Sequence, residues 1–183
     1  MTTPGGDAVD LLMREHRLVE QLFLQLDAAV AAGDEGDQRE VADRIVKELS
    51  AHAAIEEEVL YPAARKVAGV AATVDGSVAE HAELKVLLAG LAGKDPGDTG
   101  FVEGFAKARD MVSHHVDEEE GELFPKLRDA VAPYELEVLR SRLEEARQTA
   151  PTAPPPANPV AAVAEAAGSL LDRAKDAIRH IKD

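Results

Sequence analysis

Two segments of this chain match at the positions that could do chemistry. His52-x3-Glu56-Glu57-x2-Leu60-Tyr61-Pro62 returns as His115-x3-Glu119-Glu120-x2-Leu123-Phe124-Pro125. On a helix a spacing of four is one turn, so each segment sets an imidazole above a carboxylate on one face. Two such pairs on facing helices are what a protein needs to hold two metal ions. A single His-x-x-x-Glu is a weak sign, because most are solvated ion pairs. Two copies with matched flanks are a far stronger one. His16 and His81 extend the pattern: each half carries a helix with one histidine, then a helix with His-x-x-x-Glu. The lone histidines are 65 residues apart and the paired ones 63.

At about 100° per residue, the glutamate lies about 40° and Leu60 or Leu123 about 80° from its histidine, on a shared inward stripe. Glu57 and Glu120, at about 140°, point sideways toward solvent or toward the back of a ligand. Glu15 and Glu80 precede their histidines and read as surface charges. A hydrogen-bonding partner is expected for each ligand imidazole, but the spacing does not name it. Leu60, Tyr61, Leu123 and Phe124 read as core residues, with Tyr61 in reach of the site only from a distorted helix end. His114 also has a glutamate four residues on, Glu118. Starting the alignment there loses the Leu-aromatic-Pro match, which assigns His115 to the site and leaves His114 at or near the surface. The candidate ligands are therefore His16, His52, Glu56, His81, His115 and Glu119, with no catalytic residue beyond them. Four imidazoles and two carboxylates suit iron, manganese or zinc. The Glu-x-x-His spacing of ferritin-type bundles is absent: Met13, Leu49, Val78 and Val112 stand three before the four histidines.

Helices must position these groups. Apolar residues recur at helical spacing almost throughout, and glycine or proline marks each break. The first helix is capped by Asp7 and broken at Gly33–Asp37. The second carries the first motif, a looser segment spans Val67–Gly76, and the third helix carries Leu84, Leu87, Leu88 and Leu91. The fourth runs from about Phe101 to Val131 through the second motif. The fold class is all-α: an antiparallel up-down-up-down four-helix bundle with extra C-terminal helices. In antiparallel neighbours, residues equidistant from a turn lie level. The midpoint of His16 and His52 is 34, and that of His81 and His115 is 98; both fall in breaks. The midpoint of His52 and His81, 66.5, falls ahead of the glycine-containing break, which predicts a bend at Pro62 or an early helix end. Pro133 opens a further helix to about Arg147. The domain division is 1–150 for the metal-binding bundle, 151–159 for a Pro/Ala-rich linker, and 160–183 for an amphipathic helix that docks, self-associates or stays tethered.

Bulk properties narrow the function classes. Acids outnumber bases 35 to 20, a formal charge of −15. Residues 151–183 are balanced, four acids to four bases, so the excess lies in 1–150. That charge repels phosphate backbones, so no nucleic-acid partner is expected. The absence of cysteine excludes disulfides, thiolate metal sites and iron–sulfur clusters. No signal peptide, no spanning segment and no firm membrane binding are expected, which points to a cytoplasmic location. Protein partners are not readable.

Residues 10–130 resemble the hemerythrin family, in its bacterial form with an HHE cation-binding domain. The matching stretches are Glu15-His16-Arg17, His52-x3-Glu56-Glu57-x2-Leu-Tyr-Pro, Glu80-His81-Ala-Glu-Leu and His115-x3-Glu119-Glu120-x2-Leu-Phe-Pro. The resemblance implies two iron ions in a non-haem di-iron centre, bridged by Glu56, Glu119 and an oxo or hydroxo group, with His16, His52, His81 and His115 as terminal ligands. The oxygen-carrying members have two histidines a turn apart on the third helix. Here Ser77 and Lys85 flank His81 at that distance. Of about twelve positions on two octahedral irons, the six residues and an oxygen bridge leave about two open. That favours reaction over simple carriage. The expected function is a hemerythrin-like di-iron protein that binds or processes dioxygen, hydrogen peroxide or nitric oxide, in oxidative-stress defence. If it is an enzyme, it is catalase- or peroxidase-like. The alternative is a non-catalytic oxygen or iron sensor, or an iron-binding module.

Overall fold

The computed structural model describes residues 6–155. The helix expected over 160–183, the last part of the linker (156–159) and His180 lie outside the described residues. Among the described residues there is no strand, and no helix is long and apolar enough to cross a membrane.

Helix α1 spans Ala8–Ala32. Asp7 caps it: the Asp7 side chain accepts from the Asp10 amide, and Asp10 accepts from the Asp7 amide, which satisfies two donors at the first turn. Gly33, in the left-handed region at φ 69°, ends α1, and Asp34 caps α2 at once. The connection is thus shorter than the Gly33–Asp37 break of the sequence. Helix α2 spans Glu35–Ile55, passes through a π-helical turn at Glu56–Leu60 and continues as α3, Tyr61–Ala64. Helix α4 spans Ala71–Leu91. Helix α5 spans Phe101–Glu118, meets a second π-helical turn at Glu119–Leu123 and continues as α6, Phe124–Ala130. Helix α7, Pro133–Thr149, follows.

Of the two alternatives at Pro62, the chain takes the early end: the helix stops at Ala64, and α4 starts at Ala71 with Gly76 inside it. The midpoint 66.5 thus falls in a connection, like the other two. Pro62 follows the widened turn at once, inside α3. In each π turn a bond runs back five residues, from the Tyr61 amide to the Glu56 carbonyl and from Phe124 to Glu119. The proline, which has no N–H to give, stands next in line.

α1 lies beside α2, α2 beside α4, α4 beside α5 and α5 beside α1; α7 packs on α1, α2 and the first π turn. Gly104 permits the close approach of α5 to α4, since a Cβ there would lie 2.4 Å from Leu91. The interior is layered. One apolar cluster includes Leu12, Ile55, Leu60, Val74, Leu123, Leu127 and, from α7, Leu136 and Leu143. The other includes Leu22, Leu26, Ile45, Leu88, Phe101 and Phe105. The buried imidazoles and carboxylates of both motifs form a polar layer between them. Each fully buried leucine contributes about 1.5–3 kcal/mol, so the two clusters carry the bundle while the layer between them costs desolvation.

Candidate metal centre

The structure brings all six sequence-predicted ligands together, and all are buried: His16, His52, His81 and His115 at 2–6% exposure, Glu56 and Glu119 at 0%. The imidazoles form two pairs. His16 Nε2 lies 3.2 Å from His52 Nε2, and His81 Nε2 lies 3.2 Å from His115 Nε2. Both carboxylates reach both pairs. Glu56 Oε1 is 3.2 Å from His52 Nε2, and its Oε2 is 3.4 Å from His81 Nε2. Glu119 Oε2 is 3.5 Å from His16 Nε2 and 3.7 Å from His115 Nε2. The result is two adjoining donor groups, His16, His52, Glu56 and Glu119 on one side and Glu56, His81 and His115 on the other.

Each imidazole has a glutamate on its outer nitrogen. His16 Nδ1 meets Glu120 at 2.9 Å, His52 meets Glu15 at 2.8 Å, His81 meets Glu57 at 3.0 Å and His115 meets Glu80 at 2.9 Å. Glu57 and Glu120 thus stand behind ligands rather than in solvent. Glu15 and Glu80, expected as surface charges, do the same from the residue before a histidine. The signal was present in the repeat, since both Glu-His dipeptides and both Glu-Glu pairs recur at equivalent positions. A carboxylate on Nδ1 fixes the tautomer and leaves the Nε2 lone pair facing inward. Two such lone pairs 3.2 Å apart repel each other unless a proton or a metal cation lies between them. Glu56 Oε1 and Glu119 Oε2 are buried without a hydrogen-bond partner. An imidazole nitrogen stands 3.2 Å from the first and 3.5 Å from the second, and with no positive charge there the buried carboxylates would cost several kcal/mol. The donor set therefore fits metal cations on this structure's own geometry.

Tyr61 is a core residue, as expected, and it also reaches the site from a distorted helix end. It is buried, but its hydroxyl donates to Glu119 Oε1 at 2.9 Å and lies 3.3 Å from Glu56 Oε2 and 3.4 Å from His81 Nε2. On a regular helix Tyr61, nine residues past His52, would face about 180° away from it. The π turn adds one residue to the intervening turn and rotates Tyr61 back to about 80°, onto the inward stripe. Phe124 is its counterpart, stacked on His16 with ring centroids 5.7 Å apart and without a hydroxyl. The two halves of the site therefore differ by one oxygen. His114 is 67% exposed at its side chain and stays outside the cluster.

The profile of the Hemerythrin HHE cation binding domain matches residues 7–127. The chain belongs to this hemerythrin HHE family. It is 30% identical over 150 residues to a DNA nickase from Nostoc sp., covering 79% of this chain and 42% of that protein. It therefore spans less than half the length of that relative. It is 27% identical over 139 residues to the uncharacterized protein Rv2633c of Mycobacterium tuberculosis, covering 76% of this chain and 80% of that one. The crystal structure of an HHE cation-binding domain-containing protein from Mycobacterium kansasii, an Rv2633c homologue, superposes with a TM-score of 0.65 at 22% identity. It covers 78% of this chain and 88% of the other, which establishes a shared fold. Helix α7 lies beyond the profile match. Its Arg147 nonetheless donates to Glu15 at 3.2 Å and to Glu48, so α7 holds the carboxylate behind His52.

Electrostatics in the metal-free HHE domain follow from this packing. Burial alone would lower the pKa of His52, but Glu56 and Glu15 outweigh it and raise it to about 10. His115 is likewise lowered by burial and raised overall, to about 9, by Glu56, Glu119 and Glu80. Glu56 is pushed up by burial but held well below the carboxylate range by His52, His115 and His81. Tyr61 is pushed up by burial and by the carboxylates of Glu56 and Glu119, so its hydroxyl keeps its proton. A raised imidazole pKa means that the fold binds the proton more tightly than the unfolded chain does. That contribution is complete below 6.5 and is lost as pH rises through about 9 and about 10. The Glu56 contribution has the opposite sign, complete above 4.5 and lost as pH falls. Thermal melts of metal-free protein should therefore be highest between these bounds and fall on the alkaline side. Metal binding needs neutral imidazoles, so the stabilisation by added metal should grow over the same alkaline range. A melting temperature of metal-free protein that rises toward alkaline pH would contradict this account.

Proposed function

We propose that this chain is a di-iron protein that binds and processes a small oxidant: dioxygen, hydrogen peroxide or nitric oxide. The observation that carries the reading is the pair of adjoining histidine groups joined by Glu56 and Glu119, with room for a small ligand beside them. A cavity of about 20 Å³ lies against the four imidazoles, walled by Val19, Leu49, Ala53, Leu84, Val112 and Val116. That is space for about one water molecule or a diatomic gas. Its apolar walls exclude bulk water. The opposite side of the site is closed by Tyr61 and Phe124. Bound iron would supply Lewis acidity and one-electron redox capacity beside this cavity. The residues of the chain do the rest: Glu15, Glu57, Glu80 and Glu120 orient the imidazoles, and the Tyr61 hydroxyl holds a proton at Glu119. Tyr61 also offers a seventh donor next to His81, where the second histidine of the oxygen carriers is missing. Were that proton displaced on metal binding, the phenolate would reduce the open positions counted from sequence from about two to about one.

The charge of −15 supports a small ligand over nucleic acid, and a cysteine-free chain suits a cytoplasmic setting. Two irons per chain are expected by elemental analysis of protein produced with ample iron, with near-ultraviolet absorption from an oxygen bridge. Fewer than one iron and no such band would defeat the reading. The catalase-like version requires oxygen release when iron-loaded protein meets peroxide; none would remove it while leaving the centre intact.

A sensing role is favoured by one separate observation, the grip of Arg147 on Glu15. It joins the centre to α7 and the chain beyond. A metal-dependent change in hydrogen exchange across α7 would support that alternative, and an unchanged α7 would count against it.

A further inference from the structure

Three of the four carboxylates that hold an Nδ1 are themselves held by a permanent cation. Arg17 donates to Glu120, Arg147 to Glu15 and Lys85 to Glu57. The fourth is different. Glu80 Oε2 holds His115 Nδ1 at 2.9 Å, and its Oε1 lies 3.5 Å from His114 Nε2. The same His114 nitrogen is 3.5 Å from Glu118 Oε1. Where the other three positions present a guanidinium or an ammonium, this one presents an imidazole backed by a second carboxylate. Those are donors for a metal, and one donor atom from each of Glu80, His114 and Glu118 lies within 4.8 Å of the others.

The trio also has a route inward. Glu80 and His114 line a cleft of about 130 Å³ that continues past Glu83 and Met111 to His81 and His115. His81, Leu84 and His115 line the small cavity beside the centre as well. Glu80 belongs to both ends, with one oxygen on the surface trio and the other on a buried imidazole.

Given the reading of the buried cluster as a metal centre, we propose that Glu80, His114 and Glu118 form a surface loading site that captures a divalent cation and passes it along the cleft between α4 and α5. One imidazole and two carboxylates form a borderline-to-hard donor set suited to Fe(II), Mn(II) or Zn(II). Three protein donors at an exposed position leave the rest of the coordination to water. Such a site binds weakly and exchanges fast, as a loading site must. The buried centre, with its donors on four helices, then retains what the surface site delivers.

The test is the rate of loading, separated from the amount loaded. Metal-free full-length protein is mixed anaerobically with Fe(II), quenched with a chelator at intervals, desalted and analysed for iron. His114→Ala and Glu118→Gln should load about tenfold more slowly than the unmodified chain, within the range by which local charge and capture alter association rates. Both should reach the same final content. Glu103→Gln removes one charge from an exposed position on α5, outside both the trio and the cleft, and should load at close to the unmodified rate. Equal rates in all four proteins would overturn the proposal. So would an equal slowing in Glu103→Gln, which would reduce the effect to general attraction. A lower final content in His114→Ala would overturn it too, by placing that residue in the retaining site. An unmodified chain that takes up no iron would overturn the metal centre and the loading site together, whereas uniform rates overturn the loading site alone.

Discussion

Replacing His52 by alanine should cut bound iron to less than about half of the unmodified content, because metal held by several side chains is lost when one ligand and its orientation go. His52 joins its histidine pair to one carboxylate of the centre and to one behind it. Its Nε2 lies 3.2 Å from both His16 and Glu56, and its Nδ1 lies 2.8 Å from Glu15. In the metal-free protein the same substitution leaves Glu56, at 0% exposure, without its nearest positive partner. Removing one partner of a buried pair costs about 3–5 kcal/mol. The variant should therefore show both a loss of iron and a clearly lower melting temperature without metal. His114→Ala, one residue before the second motif histidine, should show neither. Retention of iron by His52→Ala together with its loss from His114→Ala would overturn the ligand assignment.

Tyr61→Phe should leave the fold intact and change the centre. The substitution removes one oxygen and keeps the ring, and Phe124 shows that the equivalent position in the other half accepts a phenyl group. Three contacts are lost, to Glu119 at 2.9 Å, Glu56 at 3.3 Å and His81 at 3.4 Å. If the phenol ligates, iron-loaded protein should show a visible charge-transfer band that is absent from the variant. Iron should also be removed by a competing chelator about 10–100-fold more readily, the cost typical of a lost supporting contact. An unchanged spectrum and unchanged chelator resistance would reduce Tyr61 to a hydrogen-bond donor for Glu119. Either result requires the metal-free melting temperature to stay within a few degrees of the unmodified protein.

The six candidate ligands were legible because their clustering depends on local periodicity. His52 with Glu56, and His115 with Glu119, share a helix face through spacing alone, and the repeat excluded a chance match. The pairing of His16 with His52 and of His81 with His115 followed from the distance of each to a turn, which an antiparallel connection converts into height. The cap at Asp7 and the breaks at Gly33 and Gly100 were local as well. Helix ends were less legible. Val67–Gly76 read as a loose segment because Gly76 looked like a breaker, yet tertiary packing of Val74 in the core and of Ser77 beside the site carries the helix through it.

Three things were decided only in three dimensions. The glutamates behind the imidazoles come from neighbouring helices: Glu15 serves a histidine 37 residues away, and Glu120 one 104 residues away. Helical periodicity relates residues on one element, and it carries no information on which face of a neighbour will lie opposite. Arg147 reaches Glu15 across 132 residues from a helix that the family profile does not cover. The entry of Tyr61 into the site depends on a widened turn, which shifts every later side chain by one position. The residues that invite that turn, a proline after a leucine and an aromatic, were visible in both copies. Whether the helix would bend, stop or absorb an extra residue was not. Sequence by itself determined the bundle and the six candidate donors it brings together, since spacing along a helix is a local quantity. Only the tertiary structure decided the entry of Tyr61 and the carboxylates that hold the imidazoles, since these depend on rotation between segments and on contact between helices.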